Sequence, residues 1–170
     1  TATAGDVMAM RGEHPPEVAL ARYPQMLVRG ASRLRARDTG PTGLRRNADP
    51  EDLQVLSRRS PYARFFELEE YDLQHRRFDG QMSPVITRAT FVSGDAVTVL
   101  PFDPRRDRVL LVEQFRAGPL ARGDAQCWQI ETIAGRVDPA ETPEAAARRE
   151  AAEEAGLALG PLLEVARYYP

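Results

Sequence analysis

Glu150, Glu153 and Glu154 are the side chains best spaced to do chemistry, because they stand at i, i+3 and i+4. On a helix that spacing turns all three carboxylates to one face. The flanking residues predict such a helix over 142–155. Thr142 suits the N-cap, Pro143 the first helical position, Glu144 the positive end, and Gly156 the stop. The carboxylates then crowd the negative end of the helix dipole. Each like-charged pair costs about a few tenths of a kcal/mol, and the dipole adds a similar penalty. A sequence shaped by helix stability alone would not put them there. A divalent cation reverses the sign of the argument. Clustered hard oxygen ligands suit Mg2+ or Mn2+, with water and substrate phosphate in the remaining positions. The spacing by itself also describes a solvated acidic face, and both readings stand at this point.

Other reactive side chains lack the company that chemistry needs. His14 and His75 have no partners at metal-ligand spacing, and Cys127 has no nearby His or Lys to activate its thiol. Glu131 reads equally as a further site carboxylate or as a residue on a strand face.

The elements that must hold the acidic helix are mostly strands. Phe66, Leu68, Tyr71 and Leu73 mark one, with an irregularity between the pairs, and 85–92 follows the Asp79–Gly80 turn as a second. The runs 96–102 and 109–115 are apolar and of strand length, joined by a polar hairpin turn from Asp103 to Asp107. Segments 128–133 and 162–169 complete the set, with Trp128 read as packing. Strands with one strong late helix predict an α+β fold. Upstream, 14–38 reads as helical and interrupted at Pro24, with Arg29, Arg33, Arg35 and Arg37 on a solvated face. Gly40, Pro41, Gly43, Asn47 and Pro50 give 38–50 a linker composition. The expected organisation is a helical appendage with its linker over 1–55 and one catalytic domain over 56–170.

Composition narrows the class. A hydrophobic content of 42% over 170 residues is enough for a packed core. A net charge of −2 gives no basic field, so nucleic acid is not expected as a partner. All 23 basic residues are arginine. The single cysteine excludes a disulfide framework and points to a reducing cytoplasm. No apolar run approaches the ~20 residues of a membrane span, so no membrane partner is expected. The chain begins at Thr1 and stops just after an apolar stretch, so both ends look cut.

The segment GRVDPAETPEAAARREAAEEAGL, from Gly135 to Leu157, resembles the Nudix signature at every fixed Gly, Glu and Arg position. Ala151 is the one soft position, where that family prefers a larger aliphatic residue. Together with FFELEEYDLQHRRFDGQMS, LPFDPRRDRVLLVEQFR and WQIETIAG, about residues 60–170 resemble the ADP-ribose pyrophosphatase branch of the Nudix hydrolases. The N-terminal region resembles what precedes the Nudix domain in tellurite-resistance-linked members.

The resemblance implies a Nudix fold, a mixed β-sheet packed against the signature helix. It implies that Glu150 and Glu154 ligate metal, with Glu153 at the cluster and the Ala134 carbonyl completing it. Arg149 and Glu141 would hold helix and loop in register, with Gly135 and Gly156 as fixed signature positions. Arg116 matches a residue that contacts the diphosphate. Phe65 and Arg88 match residues that hold the adenine from the partner subunit of a homodimer. Elementary chemistry agrees: a guanidinium binds phosphate in bidentate fashion, and a phenyl ring offers adenine a flat surface. Without the family, Phe65 reads as core and Arg116 as a surface arginine. The implied reaction is hydrolysis of ADP-ribose to AMP and ribose 5-phosphate with Mg2+ or Mn2+. The alternatives are another nucleoside diphosphate sugar or dinucleotide as substrate, and a non-catalytic ADP-ribose-binding module. The family domain continues beyond Pro170 with further strands, a helix, a branch-specific proline and a loop glutamate acting as base. A C-terminal truncation is therefore expected.

Overall fold

The computed structural model describes residues 2–37, 43, 46 and 48–169. Most of the expected linker at 38–50 lies outside them. The chain packs as two compact units, Thr1–Gly94 and Asp95–Pro170.

In the first unit, α1 (Ala2–Ala9) and α2 (Pro16–Ala36) precede a three-stranded antiparallel sheet of β1 (Leu53–Ala63), β2 (Glu67–His75) and β3 (Ile86–Val92), in that order. Helix α2 runs through Pro24 instead of breaking there. An interior proline costs about 3 kcal/mol or more. Burial of Gln25, Met26 and Val28 on the next turn offsets it. Arg29 is not on a solvated face. Its guanidinium bonds Glu67 at 2.8 Å and clasps both oxygens of Glu69, one of them at 2.6 Å. Glu69 is fully buried and also takes the Tyr71 hydroxyl and, at 3.1 Å, Arg58. Burial alone would raise its pKa, but the donors from Arg29 and Tyr71 outweigh that and hold it below the usual range. The acidic strand β2 is therefore the sheet's centre. Gln25 Nε2 adds a bond to the Val92 carbonyl at 3.2 Å. These ties explain why the packing boundary falls after Gly94 and not at 55/56, where composition placed it.

In the second unit β4 (Ala96–Val99) pairs with β9 (Ile133–Arg136), β5 (Phe102–Asp103) with β6 (Arg108–Val109), and β7 (Val112–Phe115) with β8 (Trp128–Glu131). The helices are α3 (Ala117–Arg122) and α4 (Pro143–Ala155). Every strand pairing among the described residues is antiparallel, so the α+β class holds while the expected mixed sheet does not form among them. Each expected long apolar strand is divided, with Leu110 N–H returning to the Pro101 carbonyl at 3.0 Å between the pieces. The core joins Val99, Ile133, Ala147 and Ala151, flanked by Val97, Leu110, Val112, Leu157 and Leu162. The expected strand at 162–169 is absent: its backbone joins no ladder of described residues, and Leu163 and Val165 stand 90% and 95% exposed.

Candidate active site

Helix α4 is built as its sequence dictates. Thr142 Oγ1 accepts the Ala145 N–H at 3.1 Å and caps the start. Gly156 takes the left-handed conformation at φ 63°, and Leu157 N–H returns to the Ala151 carbonyl at 3.0 Å. Ala146, Ala147 and Ala151 are buried, so the backbone comes close to the β4–β9 pair and the carboxylates reach β9.

One guanidinium organises most of the signature. Arg149 Nε donates to Glu141 Oε1 at 2.7 Å and Nη2 to Glu141 Oε2 at 3.0 Å. Nη1 reaches Glu150 Oε1 at 2.7 Å and Glu153 Oε2 at 3.0 Å, and Nη2 also meets the Arg136 carbonyl at 3.0 Å. Glu141 in turn accepts the Asp138 N–H at 3.2 Å, so the loop before α4 is tied to its second turn. The hydrogen bonds from Arg149 hold the Glu141 carboxyl below its ordinary range, and the same pairing pushes the Arg149 guanidinium further up.

The other carboxylate faces β9 directly. Glu154 Oε2 accepts the Ala134 N–H at 3.3 Å, and Oε1 accepts Gln114 Nε2 at 2.9 Å. Ala134 and Arg136 have the same parity in the ladder with β4, and both spend a backbone group on α4. The N–H and carbonyl of one strand residue leave on the same side, so the Ala134 carbonyl also points away from β4. Between them, Gly135 lies against the Glu150 carboxyl: a Cβ there would collide with all three carboxyl atoms. Glycine is thus required for close approach, not for backbone conformation, since Gly135 is not at positive φ.

The structure does not gather the three helix carboxylates into a ready cage. Among the described residues no three His, Cys, Asp or Glu side chains converge as a cation site. Glu153 is bonded to Arg149 and largely exposed. What converges on β9 is Glu150 and Glu154, in a cradle that a Cβ at Gly135 would fill. That donor set suits a hard cation held by one or two carboxylates plus substrate phosphate.

Arg116 follows β7 and bonds Glu131 on β8, Nε to Oε1 at 2.6 Å. Pairing of Arg116 N–H with the Cys127 carbonyl at 2.8 Å continues the β7–β8 ladder, so Gln114 and Arg116 share a face with Gln129 and Glu131. Sequence reading left Glu131 open and passed over Gln114. The signal available was its two-residue spacing from Arg116. On the opposite face Trp128 meets Phe115 edge-on at 5.6 Å and is half-exposed.

Phe65 and Arg88 lie in the first unit. Phe65 sits in the turn between β1 and β2 and is 69% exposed, so it is not core. Phe66 beside it packs between Tyr62 and Phe91, with ring centroids at 5.3 and 4.6 Å. Arg88 is exposed on β3 opposite Tyr71.

Comparison with known proteins agrees with this geometry. The NUDIX domain family matches residues 92–170, a span that closely follows the second unit. An ADP-ribose pyrophosphatase of Escherichia coli (strain K12) is 43% identical over 106 residues, 62% of this chain and 50% of the relative. One from Haemophilus influenzae is 38% identical over 109 residues, 63% of this chain and 50% of the relative. A GDP-mannose pyrophosphatase of Yersinia pestis is 34% identical over 92 residues, 54% of this chain and 46% of the relative. The chain thus spans about half the length of the curated relatives it matches. With the signature in place on α4 and its loop, residues 92–170 match the NUDIX domain family, and the chain is similar to the ADP-ribose pyrophosphatases over about half of their length.

Proposed function

We propose that this protein is a metal-dependent hydrolase that splits ADP-ribose, adding water across the diphosphate to give AMP and ribose 5-phosphate. The observation that carries the reading is the convergence of Glu150 and Glu154 on β9, against a glycine that leaves room for one of them. Glu150, Glu154 and the Ala134 carbonyl would hold Mg2+ or Mn2+, with Glu153 released from Arg149 to join them. When bound, such a cation neutralises the diphosphate and lowers the barrier to attack on it. Arg149 keeps the helix and the preceding loop at a fixed spacing through Glu141 and the Arg136 carbonyl. Arg116 is directed through Nε by Glu131, which leaves its two Nη groups for a bidentate grip on phosphate oxygens. Phe65 and Arg88 would hold the adenine in a homodimer, reaching from the partner subunit. A reducing cytoplasm is the proposed compartment, on the strength of the lone buried thiol of Cys127. No helix among the described residues is long and apolar enough to cross a membrane.

The likeness to GDP-mannose pyrophosphatases favours a second reading, in which another nucleoside diphosphate sugar is the substrate. A non-catalytic ADP-ribose-binding module is the third.

One set of assays tests these readings. AMP release from ADP-ribose is expected to vanish in EDTA and return with Mg2+ or Mn2+, and Glu154→Gln is expected to lose orders of magnitude in turnover while staying folded. Faster turnover of GDP-mannose would move the substrate, and binding without turnover would make the protein a sensor. Mixing Glu154→Gln subunits with Phe65→Ala/Arg88→Ala subunits is expected to restore activity through hybrid dimers. Subunit exchange without recovery removes the shared site.

A further inference from the structure

We infer that Gln114 is a positioning residue for the Glu154 carboxylate, and that it sets the affinity of the site for its cation. The inference rests on the metal-dependent reading above. Glu154 stands on the last turn of α4, and its side chain has several rotatable bonds to fix. The structure fixes the carboxylate from two sides, by a backbone donor on β9 at 3.3 Å and by the Gln114 amide from β7 at 2.9 Å. Each oxygen takes one of these donors and keeps lone-pair capacity for a further partner.

The residue type suits the task. Glu150 is bonded to a full positive charge, that of Arg149, so a cation must compete with a guanidinium for one of its oxygens. Glu154 is bonded by two neutral donors and keeps its whole charge for a ligand. An arginine or lysine at 114 would bring a second competing charge, and a carboxylate would repel Glu154. A neutral amide of this length orients the group without neutralising it. Position 114 also lies two residues before Arg116 on the same strand face. The strand β7 and the residue that follows it therefore carry the residue that aims a ligating carboxylate and the residue proposed to grip the diphosphate. A shift in β7 would move both together.

Outer partners of metal ligands typically change affinity or activity by about 10–100-fold when removed. Gln114→Met keeps length and volume and deletes the donor. Gln114→Ala deletes both. Mn2+ binding to the full chain without substrate, read by loss of the free-ion electron paramagnetic signal, is the direct measurement. Both variants are expected to raise the Mn2+ dissociation constant by about tenfold or more. Their turnover is expected to recover largely at saturating metal, with Tm unchanged in Gln114→Met. Glu154→Gln serves as the reference for loss of the ligand. An unchanged Mn2+ affinity in Gln114→Met, beside a weakened one in Glu154→Gln, overturns the role of Gln114 and leaves the metal site standing. No Mn2+ binding by the wild type overturns the metal reading and this inference together. A matched fall in Tm and affinity in Gln114→Ala, with Gln114→Met like wild type in both, reduces Gln114 to packing.

Discussion

Gly135→Ala separates what the β9–α4 contact does for folding from what it does for function. The added Cβ would fall inside the van der Waals envelope of the Glu150 carboxyl carbon and both its oxygens. Ordinary contact needs about 3.5–4.0 Å, so the carboxyl must retreat by more than about 1 Å. For folding that retreat costs little, because the atoms displaced are the far end of a flexible side chain. The backbone accepts alanine, since Gly135 is not at positive φ, and a glycine within a strand is about 0.5–1 kcal/mol worse than alanine. The melting temperature is therefore expected to stay within a few degrees of wild type. For catalysis the same retreat is expensive. A misplacement of ~1 Å at a positioned group costs about a hundredfold in rate. The assay pairs thermal melting with AMP release at several Mg2+ concentrations. The expected result is a folded protein with turnover reduced about a hundredfold. Wild-type turnover with an unchanged metal requirement would refute the idea that Glu150 works from where it lies. Loss of the fold would refute the claim that the contact is cheap.

Two further outcomes follow from the charge pairs. Glu69→Gln takes from buried Arg29 its two-oxygen carboxylate partner and leaves it only Glu67, and is expected to destabilise the first unit by up to about 3–5 kcal/mol, measured by urea unfolding. Acid should also weaken the molecule. Glu69, Asp72 and Glu141 all have folded pKa values below their ordinary ones: Glu69 because donors outweigh its burial, Asp72 through Arg59, Thr87 and Ser57, and Glu141 chiefly through Arg149. A depressed carboxylate stabilises the fold above its unfolded pKa, near pH ~4, and the gain is lost as pH falls toward the folded value. Stability from urea titrations is expected to be flat from neutrality to about pH 5 and to fall below it; a rise below pH 4 would contradict the sign.

What could be read from the sequence was what local rules control. Helix α4 was legible to the residue because Thr142, Pro143 and Gly156 act within one turn of themselves. The Asp103–Asp107 hairpin was legible for the same reason. The eleven residues of β1 were not, because Leu53, Val55 and Leu56 are exposed and the strand shifts register twice against β2, which erases any alternation. Arg29 looked like its neighbours Arg33 and Arg35, since nothing local says that Glu69, forty residues on, will bury it. In the site, the residue types and helix spacing were visible. That Arg149 would draw Glu150 and Glu153 to itself, while Glu154 turned to β7 and β9, depended on where the strands lie. Arg116 could be named, but its partner Glu131 comes from the ladder register between β7 and β8.

The alanine face of α4 has a consequence for how this chain can vary. Ala147 and Ala151 touch the sheet through single methyl groups, and the volume between helix and sheet is filled from the other side by Ile133 and Val99. Bulk is thus allotted to the strands and withheld from the helix. A longer side chain at 151, of the kind the signature usually carries, would lift α4 unless Ile133 shrank in return, since packed interiors tolerate exchanges that conserve volume and resist those that do not. Because the carboxylates ride on the same helix, lifting it would also lengthen their reach to β9. Positions 133 and 151 are therefore bound as a pair: neither can drift alone without detuning chemistry that neither touches.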